Sequence, residues 1–406
     1  MPFVIFAAPW FTENAVRFIE ATAGVGGVRL AVVSHEPQEL LPQRVRERLA
    51  AHWRVEDIFD PEQLARAARS LSEHLGPVHR LYGSYEQLQV PLAEARALLG
   101  VEGMSVEAAH NFRDKSRMKE VLRAAGVPCA RHRLARSEAE GWGFVEEVGY
   151  PVVVKPPAGA GAEGTFRADG ADALGEALRA SAPTDARPVL LEEFVTGDEH
   201  SLETISVGGR AVWHSLTHYY PTPLEVVRNP WIQWRIVLPR EVDDARYDDI
   251  RAAGARALEA LGMGTGLTHL EWFRRADGSV AVSEVGARPP GAQITTLVSR
   301  AHDFDFLHEW ARVMVYGEFE RPERRYAAGA AFLRGQGSGR VTAVRGVEQA
   351  ERELGHLITD AKIPQVGQAP SRSYEGEGYV ILRHPETEVV REALLRLVNL
   401  VRVELG

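Results

Sequence analysis

The chain has 406 residues, 45% of them hydrophobic and 25% charged, with a net charge of -9. That is length for two to four domains with sizeable cores, and the wrong charge for nucleic acid or an anionic membrane as main partner. No apolar run approaches the ~18 residues of a membrane span, and the start, MPFVIFAAPWF, lacks the basic head and small-residue cleavage site of an export signal, so a cytoplasmic protein is expected.

A single cysteine, Cys129, excludes an internal disulfide and a cysteine-built metal site; in AGVPCARH it reads as a small buried residue. Of 47 basic residues only four are lysine (Lys115, Lys119, Lys155 and Lys362), against 43 arginines. If arginine replaces lysine wherever charge alone matters, the surviving lysines mark places that need a compact ammonium. Chance survival of one or two is the alternative.

Residues 1 to about 100 alternate apolar runs (Phe3 to Ala8, Val28 to Val33, Val78 to Tyr82) with helical periodicity at Asn14 to Ala23, Pro61 to Leu75 and Gln87 to Leu99. This is the pattern of a parallel sheet covered by helices. No glycine-rich dinucleotide fingerprint follows the first run, so the region reads as a scaffold lending its strand ends to a substrate. From Asn111, NFRDKSRMKEVLRAAGVP predicts a helix capped by Asn111 or Asp114, with Met118, Val121, Leu122 and Ala125 on one face and Gly126 and Pro128 stopping it. Lys115 falls in the first turn, where the helix dipole disfavours a cation. A phosphate there, met by free N–H groups and the ammonium, reverses that penalty; an exposed lysine is the plain alternative.

In GYPVVVKPPAGAGAEGTFRAD, Gly159, Gly161 and Gly164 match G-x-G-x-x-G. A dinucleotide loop must open directly into a helix, whereas here the glycines join the strand Pro151 to Lys155 to the extended run Thr165 to Ala168. Such a loop reads as a flap whose backbone amides close over phosphates, or as an ordinary hairpin. Lys155 ends the apolar strand beside it, either snorkelling outward or reaching into a site. In VLLEEFVTGDEHSLETISV a strand is followed by a turn at Gly197-Asp198 and a second strand. Free backbone groups at Glu193 and Val195 could read an adenine edge, and Glu199 could accept from ribose hydroxyls, though carboxylates near a loop are usually just solvated. The aromatic and proline-rich stretch from Ser215 to Val242 reads as an irregular loop, either a rigid cover or a substrate pocket. A helix is expected from Asp243 to Leu261.

Thr268 to Gly291, THLEWFRRADGSVAVSEVGARPPG, carries the strongest chemical signal. Two strand-like runs flank Asp277-Gly278, the dipeptide of a two-residue hairpin turn. Counting outward pairs Ala276 with Ser279, Arg274 with Ala281, Trp272 with Ser283 and Glu271 with Glu284. Both carboxylates then share a face with Phe273, Val280 and Val282. Opposed like charges destabilise a sheet unless a cation lies between them, and Mg²⁺ takes one or two carboxylates plus substrate phosphates. Arg288, four residues on, could neutralise an anion nearby. A hairpin whose two Glu face water is the alternative.

Thr295 to Tyr316 reads as one long amphipathic helix. Beyond Pro322, AAGAAFLRGQGSGRVTAV reads as two strands joined by a tight turn at Gln336 to Gly339, Val347 to Leu354 as a helix, and GYVILRHP as a strand before the helix Glu386 to Leu400.

In this order the pieces resemble the ATP-grasp superfamily over nearly the whole chain, and the last third is similar to its biotin-carboxylase-like branch, which includes the L-amino-acid ligases. The resemblance implies an α/β and α+β multidomain protein. Residues 1–110 would be a Rossmann-like pre-ATP-grasp domain, 111–195 the small ATP-grasp subdomain with its glycine flap, 196–321 the large subdomain with the metal hairpin, and 322–406 a small α+β domain. It makes Lys115 and Lys155 the phosphate-binding lysines, with Gly159, Gly161 and Gly164 above the phosphates. Glu192, Glu193, Phe194 and Val195 (EEFV) become the adenine linker, Glu199 the ribose acid, Glu271 and Glu284 the Mg²⁺ ligands with Mn²⁺ as the alternative ion, and Arg288 the arginine that steadies an acyl phosphate. Tyr219, Trp231, Gln233, Trp234, Arg288 and Gly291 form the expected substrate pocket. One departure stands out: the family's second metal strand reads Glu-Ile-Asn-Pro-Arg, and this chain reads Glu-Val-Gly-Ala-Arg, so Gly286 replaces an Asn oxygen.

The implied reaction is ATP-dependent carboxylate–amine ligation through an acyl phosphate, with small substrates, amino acids first among them, and by analogy a homodimer. The alternatives are another ATP-grasp enzyme (carboxylation or acyl-phosphate transfer) and a non-catalytic nucleotide-binding protein with a decayed metal site.

Overall fold

The structure is a computed structural model and describes residues 1–158, 164–229, 231–371, 373 and 375–406. The first sheet is parallel and four-stranded, ordered Ala51–Arg54, Arg29–Ser34, Phe3–Ala8, Val78–Tyr82. Its central strand is buried on both faces, which is why it reads as a continuous apolar run. Phe3, Ile5 and Ala7 pack towards Leu64, Leu71 and Leu92 of the helices Pro61–Leu75 and Gln89–Leu99. Val4, Phe6 and Ala8 pack towards the helix Glu13–Gly24, whose Phe18 meets Trp310 edge-on at 4.9 Å. The short strand Ala51–Arg54, only half-buried or exposed, has no such run and is not predicted by the pattern.

A second, antiparallel four-stranded sheet is ordered His132–Ala135, Val189–Glu193, Val152–Lys155, Phe166–Ala168. Val152 lies opposite Ala168, so the strands flanking the glycine loop form a hairpin, as expected. Gly159 and Gly161 lie outside the described residues.

The centre of the molecule is an eight-stranded sheet: Val280–Gly286, Gly266–Arg274, Asp198–Val207, Arg210–Tyr220, Trp234–Leu238, Ala327–Leu333, Gly378–His384, Ile358–Lys362. It continues across the expected boundary at 321/322, because Ala327–Leu333 pairs with Trp234–Leu238 along its length. The same pairing corrects the reading of AAGAAFLRGQGSGRVTAV as one hairpin. Gly335–Gly337 and Val341–Arg345 belong instead to a separate three-stranded sheet, one on each side of Arg402–Leu405.

Two other expectations fail for local reasons. The segment from Ser215 to Val242 is largely regular, with two strands and the helix Pro223–Arg228, which Thr222 caps by accepting from the Glu225 N–H. The long helix predicted from Thr295 is two helices, Ile294–His302 and Phe306–Tyr316, broken where Asp303 takes a left-handed conformation (φ 55°) and Asp305 caps the second.

A candidate ATP site on one face of the central sheet

The helix Lys115–Ala124 starts at Asp114, whose carboxylate accepts from the Ser116 and Arg117 N–H groups (2.9 and 3.0 Å), while the Lys115 N–H donates to the Pro157 carbonyl (2.8 Å). These first-turn amides are therefore already satisfied, which corrects the idea of a phosphate seated on them. Asn111 lies in the preceding helix and accepts from Arg117 Nε. What Lys115 offers is its ammonium, 2.6 Å from Glu284 Oε1.

Lys155, at the end of its strand, lies 3.0 Å from Glu192 Oε1. Lys119, fully buried, lies 3.4 Å from the same oxygen and donates to the Ser283 carbonyl at 3.0 Å. Burial pushes the Lys119 pKa down against the pull of Glu192, whereas for Lys155 the carboxylates Glu192 and Glu284 outweigh burial and raise it. Glu192 is held below its usual range, Lys119 and Lys155 overcoming the cost of burial. Its carboxylate thus anchors two lysines rather than an adenine edge. Lys119 was singled out by lysine scarcity but given no task; Lys362, on the surface against Glu13 (2.8 Å), carries none visible here.

The hairpin places Glu271 opposite Glu284, as counted, but by a different route. Arg275 and Ser279 close a three-residue loop, with Gly278 left-handed (φ 84°). Arg274, Phe273 and Trp272 then pair with Val280, Ala281 and Val282, one residue off the count. A β-bulge at Ser283 restores the register at Glu271 and Glu284, and the carbonyl that Lys119 binds is that of the bulged residue. The two offsets cancel at the carboxylates but not between them: Val280 and Val282 join the core with Leu270 and Trp272 on the opposite face, not the face of Glu271 and Phe273.

His269, two residues before Glu271 on that face, has Nδ1 2.9 Å from Glu203 Oε1 and Nε2 3.5 Å from Glu271 Oε1. These carboxylates outweigh burial and raise its pKa to about 9, so the ring is cationic at neutral pH. Glu203 is buried and also accepts from Ser201 Oγ (2.5 Å) and Thr217 Oγ1 (3.0 Å), a satisfied network that fixes the ring. Arg288 Nε donates to Glu86 Oε2 (3.1 Å), and Glu86 also accepts from Arg113 Nη1 (3.2 Å). Glu86 follows the strand Val78–Tyr82, so the carboxyl end of the parallel sheet reaches the site.

Lys115, Lys155, Glu192, His269, Glu271, Glu284, Glu86 and Arg288 line one cavity of roughly 420 Å³, with Lys119, Glu203 and Arg113 behind them. Lys115, Lys155, Glu192, Glu193, Phe194, Val195, Glu199, Tyr219, Trp234, Glu271, Glu284, Arg288 and Gly291 are all on its walls. Glu199 is buried, and burial, then Glu271, raises its pKa well above the carboxylate range. The Glu193 N–H donates to the Arg131 carbonyl (2.9 Å) and the Phe194 N–H to the Pro151 carbonyl (3.1 Å), so neither of these linker donors is free.

Three predicted residues are elsewhere. Trp231 is 63% exposed and off the cavity, Gln233 spends its amide on the Arg334 backbone, and Gly164, left-handed (φ 66°), is not among the lining residues. Cys129 is half-buried rather than buried, with its pKa raised, burial being the main cause.

No cluster of three or more His, Cys, Asp or Glu side chains suited to a metal occurs among the described residues. The two opposed carboxylates nevertheless fit Mg²⁺. They face the cavity with side chains 30% and 23% exposed, and each is matched by a cation, His269 for Glu271 and Lys115 for Glu284.

Residues 120–303 match the model of the ATP-grasp domain. That segment is similar to the ATP-grasp domain, and the chain has the ATP-grasp fold. Over 325 residues it is 29% identical to the uncharacterized protein y4rH of Sinorhizobium fredii, covering 78% of this chain and 61% of that one. It is 22% identical to the L-arginine-specific L-amino acid ligase of Bacillus subtilis, over 66% of each chain. The fold is shared end to end with the L-amino acid ligase of Bacillus licheniformis, at a TM-score of 0.80 and 19% identity, covering 100% of this chain and 99% of that one. The alignments with the curated relatives span about three fifths to two thirds of those proteins' lengths. Among the described residues no helix is long and apolar enough to cross a membrane.

Proposed function

We propose that the protein is an ATP-dependent carboxylate–amine ligase that forms an amide through an acyl phosphate, releasing ADP and phosphate, with amino acids as the first substrates to try. The observation that carries this is the meeting of Lys115, Lys155, Glu271, Glu284 and Arg288 on one cavity beside the Glu193–Val195 linker. Phosphoryl transfer asks mainly for positioning and charge neutralisation, with no protein nucleophile.

In this reading the Glu193 carbonyl and Val195 face adenine, and Glu199 faces the ribose. The Lys115 and Lys155 ammoniums meet phosphate oxygens, aimed by Glu284 and by Glu192 with Lys119 behind it. Glu271 and Glu284 hold Mg²⁺, which when bound neutralises phosphate charge; Mn²⁺ is the alternative ion. Arg288, braced by Glu86, faces the acyl phosphate. The Gly159 to Gly164 segment lies next to Lys155 in sequence and is assigned to cover the phosphates. We also propose the four-part division 1–110, 111–195, 196–321 and 322–406, a homodimer, and a cytoplasmic location.

The test is ADP and phosphate release with Mg·ATP against pools of amino acids and small carboxylates. Release that requires both an acid and an amine, with a product lighter than their sum by one water, is the expected result. The absent side chain at Gly286 favours a second reading, a nucleotide-binding protein without turnover; calorimetric ATP binding with no ADP in any pool would select it.

A further inference from the structure

The cavity is chemically divided. Its charged groups belong to the linker, the two lysines, the carboxylate hairpin with His269 and the Glu86–Arg288 pair, whereas Tyr219 and Trp234 on the fourth and fifth strands of the central sheet, Leu224 and Val227 on the helix Pro223–Arg228, Ala292, and Ile294 at the start of the helix Ile294–His302 make an uncharged part of the lining. None of those six carries a charge.

The wall is also rigid. Trp234 is 1% exposed, donates Nε1–H to the Pro221 carbonyl (3.0 Å) and stacks on Phe332 at 5.0 Å. Ala292 and Ile294 are buried in the same core. The helix Pro223–Arg228 is pinned by Val226, which is fully buried, and it turns Leu224 and Val227, three residues apart, to the cavity. Val227 is left 39% exposed. Most charges of the site are already engaged: Glu86 with Arg113 and Arg288, Glu271 with His269, Glu284 with Lys115, and Glu192 with Lys119 and Lys155. A charged substrate side chain against this wall would be desolvated with nothing to pair it, whereas an apolar one would cover Leu224 and Val227.

We propose that the acid activated by this protein carries an apolar side chain of the leucine, methionine or phenylalanine kind, seated on the Leu224, Val227 and Trp234 wall. This rests on the ligase reading above. In the step concerned a carboxylate oxygen attacks the γ-phosphorus of ATP, the bond to ADP breaks, and an acyl phosphate forms. An amine nitrogen then takes the acyl carbon, phosphate leaves, and the nitrogen loses a proton to solvent.

The experiment uses the full chain with Mg·ATP and hydroxylamine as a universal amine, so that hydroxamate and ADP report activation of any acid. Leucine, methionine and phenylalanine are compared with serine, aspartate, glutamate and lysine. The apolar acids are expected to exceed the charged ones in kcat/KM by about 30-fold or more. Val227→Arg, at a position exposed enough to accept it, is expected to move the ratio of glutamate to leucine by about tenfold towards glutamate. A preference for charged acids in the parent protein, or an unmoved ratio in the variant, overturns the inference while hydroxamate formation upholds the ligase. No hydroxamate and no ADP with any acid overturns the ligase reading and the inference with it.

Discussion

Glu284 carries more of the proposed chemistry than any other single residue. It is half-buried against Lys115, which with Lys155 keeps its pKa low despite the cost of burial. Glu284→Gln keeps the shape and removes the charge, so kcat should fall by about 100-fold or more with the melting temperature little changed. Normal ADP production at saturating substrate would remove Glu284 from the metal site. Gly286 is the opposite case, a missing group. A Cβ built there meets nothing nearer than Arg288, at 3.6 Å, so Gly286→Asn fits without strain. It is expected to lower the Mg²⁺ concentration giving half-maximal activity, and an unchanged Mg²⁺ titration would show that the departure from the family's Asn costs nothing. Glu284 was readable by counting from the Asp277-Gly278 turn, and Gly286 by comparison with the motif of the family the chain resembles. Glu86, His269 and Glu203 were not assigned. His269 shares the face of Glu271 by simple alternation and could have been found. Glu86 comes from 202 residues before Arg288, and no local pattern points to it.

Among the elements, the hairpin shows how a correct pair can follow from an incorrect register. Its loop has three residues and its second strand has one extra, and these cancel only at Glu271 and Glu284. The bulge is useful because it frees the Ser283 carbonyl for Lys119. Replacing Lys119 with Met should therefore destabilise the fold by about 3 kcal/mol, because at a fully buried site no water can stand in for its ammonium beside Glu192; at Lys155, which lines the cavity, water can take the ammonium's place, so Lys155→Met should act mainly on turnover. Urea midpoints and kcat for the two variants separate these roles, and equal stability loss in both would refute the division. The turn that joins the strands Val189–Glu193 and Asp198–Val207, which belong to different sheets, depends on Gly197. Its φ is 152°, and a Cβ there would lie 2.2 Å from the Arg274 carbonyl oxygen. Gly197→Ala should accordingly cost about 1–3 kcal/mol, read as a lowered melting temperature. A melting curve that overlays the parent's would mean the turn can relax.

At the scale of the whole molecule, several histidines are buried neutral. His132, His200 and His302 are lowered to about 4 and His218 to about 3, burial being the first cause in each. His200 and His218 meet as a tilted pair at 4.5 Å, and His200 also lies tilted against Trp272 at 4.7 Å. Unfolded histidines titrate near pH 6.5. Below that value the unfolded chain binds protons that these four do not take up in the fold, so the stability they contribute is full above pH 6.5 and is lost as pH falls towards 4. Urea midpoints measured from pH 8 to 5 should decline below 6.5, less steeply in His218→Gln; a flat profile, or no difference between the two proteins, would contradict this.

The sequence alone determined what depends on near neighbours. Alternation and 3.6-residue periodicity located the parallel sheet, the strands around the glycine loop and the helix Lys115–Ala124, because each follows from which face of a short segment must leave water. Rarity of lysine picked out Lys115, Lys119, Lys155 and Lys362, of which the first three converge and the last lies on the surface against Glu13. The tertiary structure decided everything that required distant segments to meet: the bulge that Lys119 occupies, the pairing of Glu86 with Arg288, and the extension of one sheet through residue 322. It also decided that Trp231 and Gln233 leave the cavity while Trp234 stays. Those outcomes depend on backbone hydrogen bonds and packing between residues up to hundreds of positions apart, and a pattern read within one segment carries no information about them.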